Sequence, residues 1–174
     1  MAYSKPIVLT GMMGSGKTSI GQRLAARLQM PFLDLDDEIE REQKAKIPDI
    51  FSKYGEGVFR GIEKQKLQSL LQKEPAVIAT GGGAVIDEST RNMLADCAIT
   101  VWLKVDVDIL ASRVEGDENR PLLAGDNPQR VLRRILEQRE PYYAQAPITI
   151  INNGRSIETA VEEIVTAVQN HLRR

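Results

Sequence analysis

A short run near the start of the chain, Gly11-Met12-Met13-Gly14-Ser15-Gly16-Lys17-Thr18, has the residue types and spacing of an anion cradle. It fits G-x-x-x-x-G-K-[ST], the pattern in which glycines let backbone N–H groups converge on phosphate oxygens. The lysine reaches the outer phosphates of a nucleoside triphosphate, and the hydroxyl after it ligates Mg²⁺. To act this way the run needs a strand before it and a helix after it. Ile7-Val8-Leu9-Thr10 supplies the first, and the Ile20, Leu24, Leu28 repeat supplies the second, whose N-terminal dipole favours phosphate. Gly14, Ser15, Gly16, Lys17, Thr18 and Ser19 are therefore the expected phosphate-binding residues.

Such a cradle does not say where the phosphoryl group goes. The metal's second carboxylate normally stands at the tip of a neighbouring strand. Asp34 and Asp36 lie at the tip of the second β-type run, Phe32-Leu33-Asp34-Leu35, and alternate residues of an extended segment share a face. We assign Asp34 to water-mediated Mg²⁺ contact and Asp36 to an acceptor hydroxyl. Asp36 is also placed to cap a helix beginning Asp37-Glu38-Ile39. Thr80-Gly81-Gly82-Gly83 ends another β-type run, and parallel sheets bind ligands at that carboxyl edge. With no Cβ at Gly81, Gly82 or Gly83, a small substrate could lie directly on backbone N–H groups. Arg60 sits three residues before Glu63, a spacing that on a solvated helix makes a pair worth only about 0.3–0.5 kcal/mol. Arg120 lies in Asn119-Arg120-Pro121-Leu122-Leu123, and Arg139 is expected just after the Val131–Leu136 helix, in Arg139-Glu140-Pro141-Tyr142-Tyr143. An arginine on a loop near a triphosphate can stabilise charge on the transferring phosphoryl group. Two more can fork onto a small carboxylate.

Five β-type runs must position these groups: Ile7–Thr10, Phe32–Leu35, Val77–Thr80, Thr100–Leu103 and Ile148–Ile151. Several are almost continuously apolar, as strands covered on both faces are. Helical periodicities lie between them, including Val131, Leu132, Ile135 and Leu136, and the stripe Ile157, Val161, Ile164, Val165, Val168, Leu172. Alternation of this kind predicts an α/β protein with a parallel sheet, in one domain over 1–174. Asp36–Glu74 holds more helix than one crossover needs and is interrupted at Pro48 and Gly55. The polar stretch Glu115–Pro121 reads as a mobile functional loop.

Composition sets the outer bounds. The chain has 174 residues, 42% hydrophobic and 27% charged, enough to bury a core without metal or disulfide staples. Its 23 Lys+Arg against 24 Asp+Glu lack the basic field of a nucleic-acid coat. One cysteine, Cys97, cannot form an internal disulfide, so a cytoplasmic location is expected. No signal peptide and no apolar run near the roughly 20 residues of a spanning helix is visible, so neither secretion nor a membrane partner is expected. Cys97 is read as a small packed thiol, His171 as a polar residue at a helix end, and Trp102 as core. After Lys104 every basic residue except His171 is an arginine.

Taken together, these pieces make the chain resemble the shikimate kinases over essentially its whole length. The matching parts are Gly11–Thr18, Asp34-Leu35-Asp36, Ile50-Phe51 through Gly55-Glu56 and Phe59-Arg60 to Glu63, Thr80–Gly83, Asn119–Leu123, and Arg139 with Pro141-Tyr142. The resemblance implies ATP-dependent phosphorylation of the 3-hydroxyl of shikimate, with Mg²⁺, on the way to chorismate and the aromatic amino acids. It also implies a three-layer αβα fold with a five-stranded parallel sheet, a substrate-binding element near 36–63 and a lid near 113–124. By the same resemblance Asp36 holds the shikimate hydroxyls and is the candidate base. Arg60 and Arg139 grip its carboxylate, and Gly82 supplies a backbone contact to the substrate. Lys17 and Arg120 act on the phosphates, Thr18 and Asp34 on the metal, and Arg113 and Arg155 on the adenine. The family often has glycine before the Ile-Phe helix, where this chain reads Lys44-Ala45-Lys46-Ile47-Pro48, and Pro147 replaces its usual acidic residue before the fifth strand. A monomer is the simplest expectation. Competing readings are a gluconate kinase, a nucleoside monophosphate kinase and a nucleotide-gated binding module. The first has no evident need for two carboxylate-binding arginines, and the second would carry Thr-Gly-Asp, which is not found. A module that had lost catalysis would have no reason to keep Lys17, Thr18, Asp34, Asp36 and Arg120.

Overall fold

The computed structural model describes residues 3–114 and 127–173. Five strands form one parallel sheet: β1 (Ile7–Thr10), β2 (Phe32–Asp34), β3 (Val77–Ala79), β4 (Ile99–Lys104) and β5 (Ile148–Ile151). Their order is β2-β3-β1-β4-β5, with Leu9 opposite both Ala79 and Val101. Central β1 is entirely buried because helices cover both faces of the sheet, which is why its four residues read as an unbroken β-branched and aliphatic run.

Alternate residues of the strands feed two separate cores. Ile7, Leu9, Val77, Val101 and Leu103 pack on α1 (Lys17–Leu28) and α7 (Ile157–Leu172). Val8, Ile78 and Trp102 point the other way. They pack with residues of α2 (Leu35–Gln43), α3 (Ile47–Leu71), α4 (Glu88–Cys97), α5 (Val107–Val114) and α6 (Pro128–Tyr143). The result is three layers, αβα. The apolar stripe of α7 is buried from Ala160 to Val168, while Ile157 and Leu172 at its ends are exposed.

Several elements differ from the sequence reading, each for a local reason. The second strand stops at Asp34, one residue early, because Asp34 is itself the cap of α2: its carboxylate accepts the Asp36 N–H at 3.1 Å. Asp36 is thus helical and does not alternate with Asp34 along an extended edge, nor is it the cap. Pro48 does not interrupt a helix but lies in the first turn of α3, where its missing N–H has no helical partner to lose. Gly55, at φ 81° and ψ 170°, kinks α3 in its middle. Arg139 lies inside α6, whose last turn tolerates Pro141, rather than after it. Cys97, expected to be packed, is exposed. The lid stretch, Arg120 included, falls almost wholly outside the described residues, with Arg113 at its near edge.

Candidate active site

Strands β2 and β3 lie to one side of β1, and β4 and β5 to the other. The crevice at the carboxyl ends on either side of β1 is where such sheets bind ligands. Each sequence-predicted group within the described residues stands at, or folds back toward, that edge.

The Gly11–Thr18 loop crosses from β1 to α1. Gly14 and Gly16 take φ of 76° and 92°, left-handed values that a Cβ would penalise. Gly16 is the cap of α1 with no side chain to fill the helix end, and the first helical bond runs from Ile20 N–H to Gly16 C=O at 2.9 Å. Helix geometry therefore points the amides of Lys17, Thr18 and Ser19 out of that end. The first turn carries no acid to compete for it. The Lys17 ammonium donates to Gly11 O and Met12 O, both at 2.8 Å, and so lies folded over the loop. Just past the end of β5, the buried Asn152 donates its amide to Ser15 O at 3.3 Å and ties the loop to that side of the sheet. From α5, Arg113 donates to Gly14 O at 3.0 Å. Arg155 instead pairs with Glu163 on α7.

Opposite the loop, the Thr18 hydroxyl donates to Asp34 Oδ2 at 2.9 Å. These are hard oxygen donors set side by side. No larger cluster of metal-ligating residues occurs among the described residues. One carboxylate, one hydroxyl and the phosphates of a bound nucleotide form the donor set Mg²⁺ uses, so the residues fit that ion.

The glycine run is the floor of the acceptor side, and charged side chains fill the space its missing Cβ atoms leave. A Cβ on Gly81 would lie 2.8 Å from Glu63 Oε1 and 3.3 Å from Asp36 Oδ1. On Gly82 it would lie 3.3 Å from Arg139 Nη1, and on Gly83 2.2 Å from Arg60 Nη2. Two carboxylates and two guanidinium groups, from α2, α3 and α6, thus converge on consecutive residues after β3. The cleft above them, of about 1640 Å³, is lined among others by Asp36, Phe51, Arg60, Val131, Arg139 and Tyr142.

Charge is held here under tension. Arg60 donates to Glu63 Oε2 at 2.7 Å, and Glu63 is only 2% exposed, so this is not the solvated pair its spacing suggests. Burial pushes the Glu63 carboxyl above its ordinary range despite Arg60 and Arg139. Asp36 is pushed up to about 6, first by burial and then by the Glu63 and Asp34 carboxylates, against the pull of Lys17 and Arg60. Asp36 Oδ1 and Glu63 Oε1 are buried with no hydrogen-bond partner among the described residues. A buried carboxylate oxygen without a donor is poised to accept a proton or a hydroxyl hydrogen bond.

The sequence reading did not single out Asn152, Glu63 or Tyr143 as site groups. Glu63 was legible as a helix neighbour of Arg60 but not as buried. Tyr143 stands one turn from Arg139 on α6, and its hydroxyl donates to Gly82 O. Asn152 carries no local signal, since its role depends on β5 lying beside β4.

The family model described as shikimate kinase matches residues 13–169. A shikimate kinase of Bartonella quintana is 42% identical over 97% of this chain and 80% of its own length. One of Cereibacter sphaeroides is 45% identical over 97% of this chain and 82% of its own. The structure of the Acinetobacter baumannii shikimate kinase in complex with shikimate superposes with a TM-score of 0.92 at 39% identity, covering 96% of this chain and 94% of that one. With the family model spanning nine-tenths of the sequence, the chain belongs to the shikimate kinase family.

Proposed function

We propose that this chain transfers the γ-phosphoryl group of ATP to the 3-hydroxyl of shikimate, giving shikimate 3-phosphate and ADP on the route to chorismate and the aromatic amino acids. The observation that carries this reading is the glycine floor, where Arg60 and Arg139 lie over Gly83 and Gly82 beside the Asp36 carboxyl at Gly81. A small acceptor with one carboxylate and several hydroxyls meets two guanidinium forks at one end and a carboxylate base at the other. Gluconate also carries a carboxylate, but its chain is open and flexible. Ordering it against a preformed floor has a larger entropic cost than ordering a ring.

Transfer of a phosphoryl group depends on alignment and charge neutralisation more than on covalent chemistry. Gly14, Gly16 and the N-terminal amides of α1 (Lys17, Thr18 and Ser19), with Ser15 in the loop, hold the β- and γ-phosphates. Lys17 leaves the Gly11 and Met12 carbonyls to meet them. When bound, Mg²⁺ neutralises charge on the phosphates, and Thr18 and Asp34 are the residues that would hold it. Asp36 accepts a hydrogen bond from the acceptor hydroxyl and takes its proton as the new bond forms. A carboxyl raised to about 6 is a stronger base than an ordinary aspartate. Arg60 and Arg139 fix the ring by its carboxylate, so the hydroxyl lies in line. Gly81, Gly82 and Gly83 let it approach the backbone. Arg113, already at Gly14 O, lines the nucleotide, and Arg155 is assigned to the adenine side. Arg120, which lies outside the described residues, is assigned to the phosphates on the resemblance alone. The enzyme is read as a monomer in the cytoplasm. None of the described helices is long and apolar enough to cross a membrane.

The test is coupled ADP release with shikimate, beside gluconate and several nucleoside monophosphates. Turnover that depends on shikimate is expected. Its absence, or equal turnover with gluconate, would overturn the reading.

A further inference from the structure

Tyr143 is the largest fully buried side chain among the described residues, yet it ends in a polar atom. A buried phenol must place its hydroxyl against a partner. Here the hydroxyl donates to Gly82 O, in the middle of the acceptor floor. It also lies 3.7 Å from Met12 Sδ, inside the phosphate loop. The Arg139 guanidinium, one helical turn earlier on α6, rests against the same peptide. Arg139 Nη1 and the Tyr143 oxygen lie 3.3 and 3.5 Å from the point a Gly82 Cβ would occupy, and Gly11 O lies 3.4 Å from it. The ring is fixed from behind by Trp102 of β4, stacked at 5.9 Å between centroids. One side chain therefore touches the acceptor floor and the phosphate loop, beside the carboxylate-facing arginine, while its back rests on the central sheet.

We propose that Tyr143 is a positioning residue for the acceptor: its hydroxyl holds the Gly82 peptide, against which the Arg139 guanidinium rests, in register with the phosphate loop. This inference rests on the functional reading above. The hydroxyl is single and directional. Donated to Gly82 O, it fixes the plane of the peptide on which the guanidinium rests. Without it the arginine keeps its charge but loses the fixed peptide that seats it. Misorientation of about 1 Å at such a fork weakens acceptor binding and alignment while leaving the nucleotide side nearly untouched.

Tyr143→Phe keeps the ring and its stacking on Trp102 and removes only the hydroxyl. The expected result is a shikimate KM raised about tenfold, with the ATP KM within about twofold of wild type. The methyl ester of shikimate, which has no anion for Arg139 to grip, should show much less difference between wild type and variant. In an Arg139→Ala background the same change should add little further loss, because the arginine it orients is gone. Trp102→Phe, which loosens the ring's seat and keeps the hydroxyl, should raise the shikimate KM in the same direction by less. It serves if the first variant does not fold. Unchanged shikimate KM, equal rises for shikimate and ATP, or full additivity with Arg139→Ala overturns the inference. Absence of shikimate turnover in the wild type would instead refute the functional reading on which it stands.

Discussion

The carboxylates of Asp36 and Glu63 meet over Gly81, where a single added Cβ would lie 3.3 Å from one and 2.8 Å from the other. Two acids from different helices share one backbone atom's worth of space, and each keeps a buried oxygen without a partner among the described residues. Burial and like-charge repulsion of that kind oppose folding.

That relationship predicts a trade between stability and activity. Folding raises the Asp36 pKa from about 3.8 to about 6, so the folded protein binds its proton more tightly than the unfolded chain. Ionised Asp36 therefore weakens the fold at neutral pH, and the penalty disappears as pH falls through 6 toward 4. Asp36→Asn removes it, by on the order of 2 kcal/mol at pH 7. Thermal melts of the nucleotide-free protein should show the variant several degrees more stable at pH 7 and equal to wild type near pH 4, while turnover falls by about 1000-fold or more. A variant less stable than wild type at pH 7 would contradict the charge assignment.

Gly83 tests the floor directly. Alanine there places Cβ 2.2 Å from Arg60 Nη2, and the guanidinium must swing away from it. The far end of an arginine moves easily, so Gly83→Ala should lose less than about 1 kcal/mol of stability. Misaiming one carboxylate fork should raise the shikimate KM about tenfold and leave the ATP KM alone. Parallel titrations of the two substrates decide it.

Arg139→Ala removes a charged, forked partner worth on the order of 2–3 kcal/mol. The shikimate KM should rise roughly 30- to 150-fold, and far more than that for ATP. Arg139→Lys restores charge without the fork and should recover little. Collapse of ATP affinity instead would show that the guanidinium serves the nucleotide.

Thr18 and Asp34 separate metal binding from helix capping. Thr18→Ala should raise the Mg²⁺ concentration for half-maximal rate about tenfold with a melting temperature near wild type. Asp34→Ala should do the same and also lose about 1 kcal/mol, because the cap of α2 goes with it. Equal melting temperatures in the two variants would sink the capping assignment.

Lys44 ends α2 in the left-handed conformation at φ 52°. A residue with Cβ is strained there by about 1 kcal/mol, part of which glycine forfeits to its freer unfolded chain. Lys44→Gly should raise the melting temperature by about 1–2 °C with kinetics unchanged. A lower melting temperature would count against the strain.

The amino-acid order by itself determined what short-range physics can: the five strands, the α1 and α7 periodicities, and the phosphate loop. Each of these is local, because strand, glycine turn and helix start follow one another along the chain. It also supplied the list of charged residues that matter. Where those residues stand was settled only by packing. Asp34 turned out to be the cap of α2, which ends β2 one residue early and makes Asp36 helical. Arg60 and Glu63 changed from a surface pair to a buried one because α3 lies over the floor after β3. Gly81, Gly82 and Gly83 leave room for side chains that arrive from three different helices, a convergence no local pattern encodes. Tyr143 and Asn152 join the site only because the β4–β5 side of the sheet brings α6 and the end of β5 beside the first strand's loop. Spacing along the chain decides which groups are available, and long-range burial decides which of them face one another and what their charges cost.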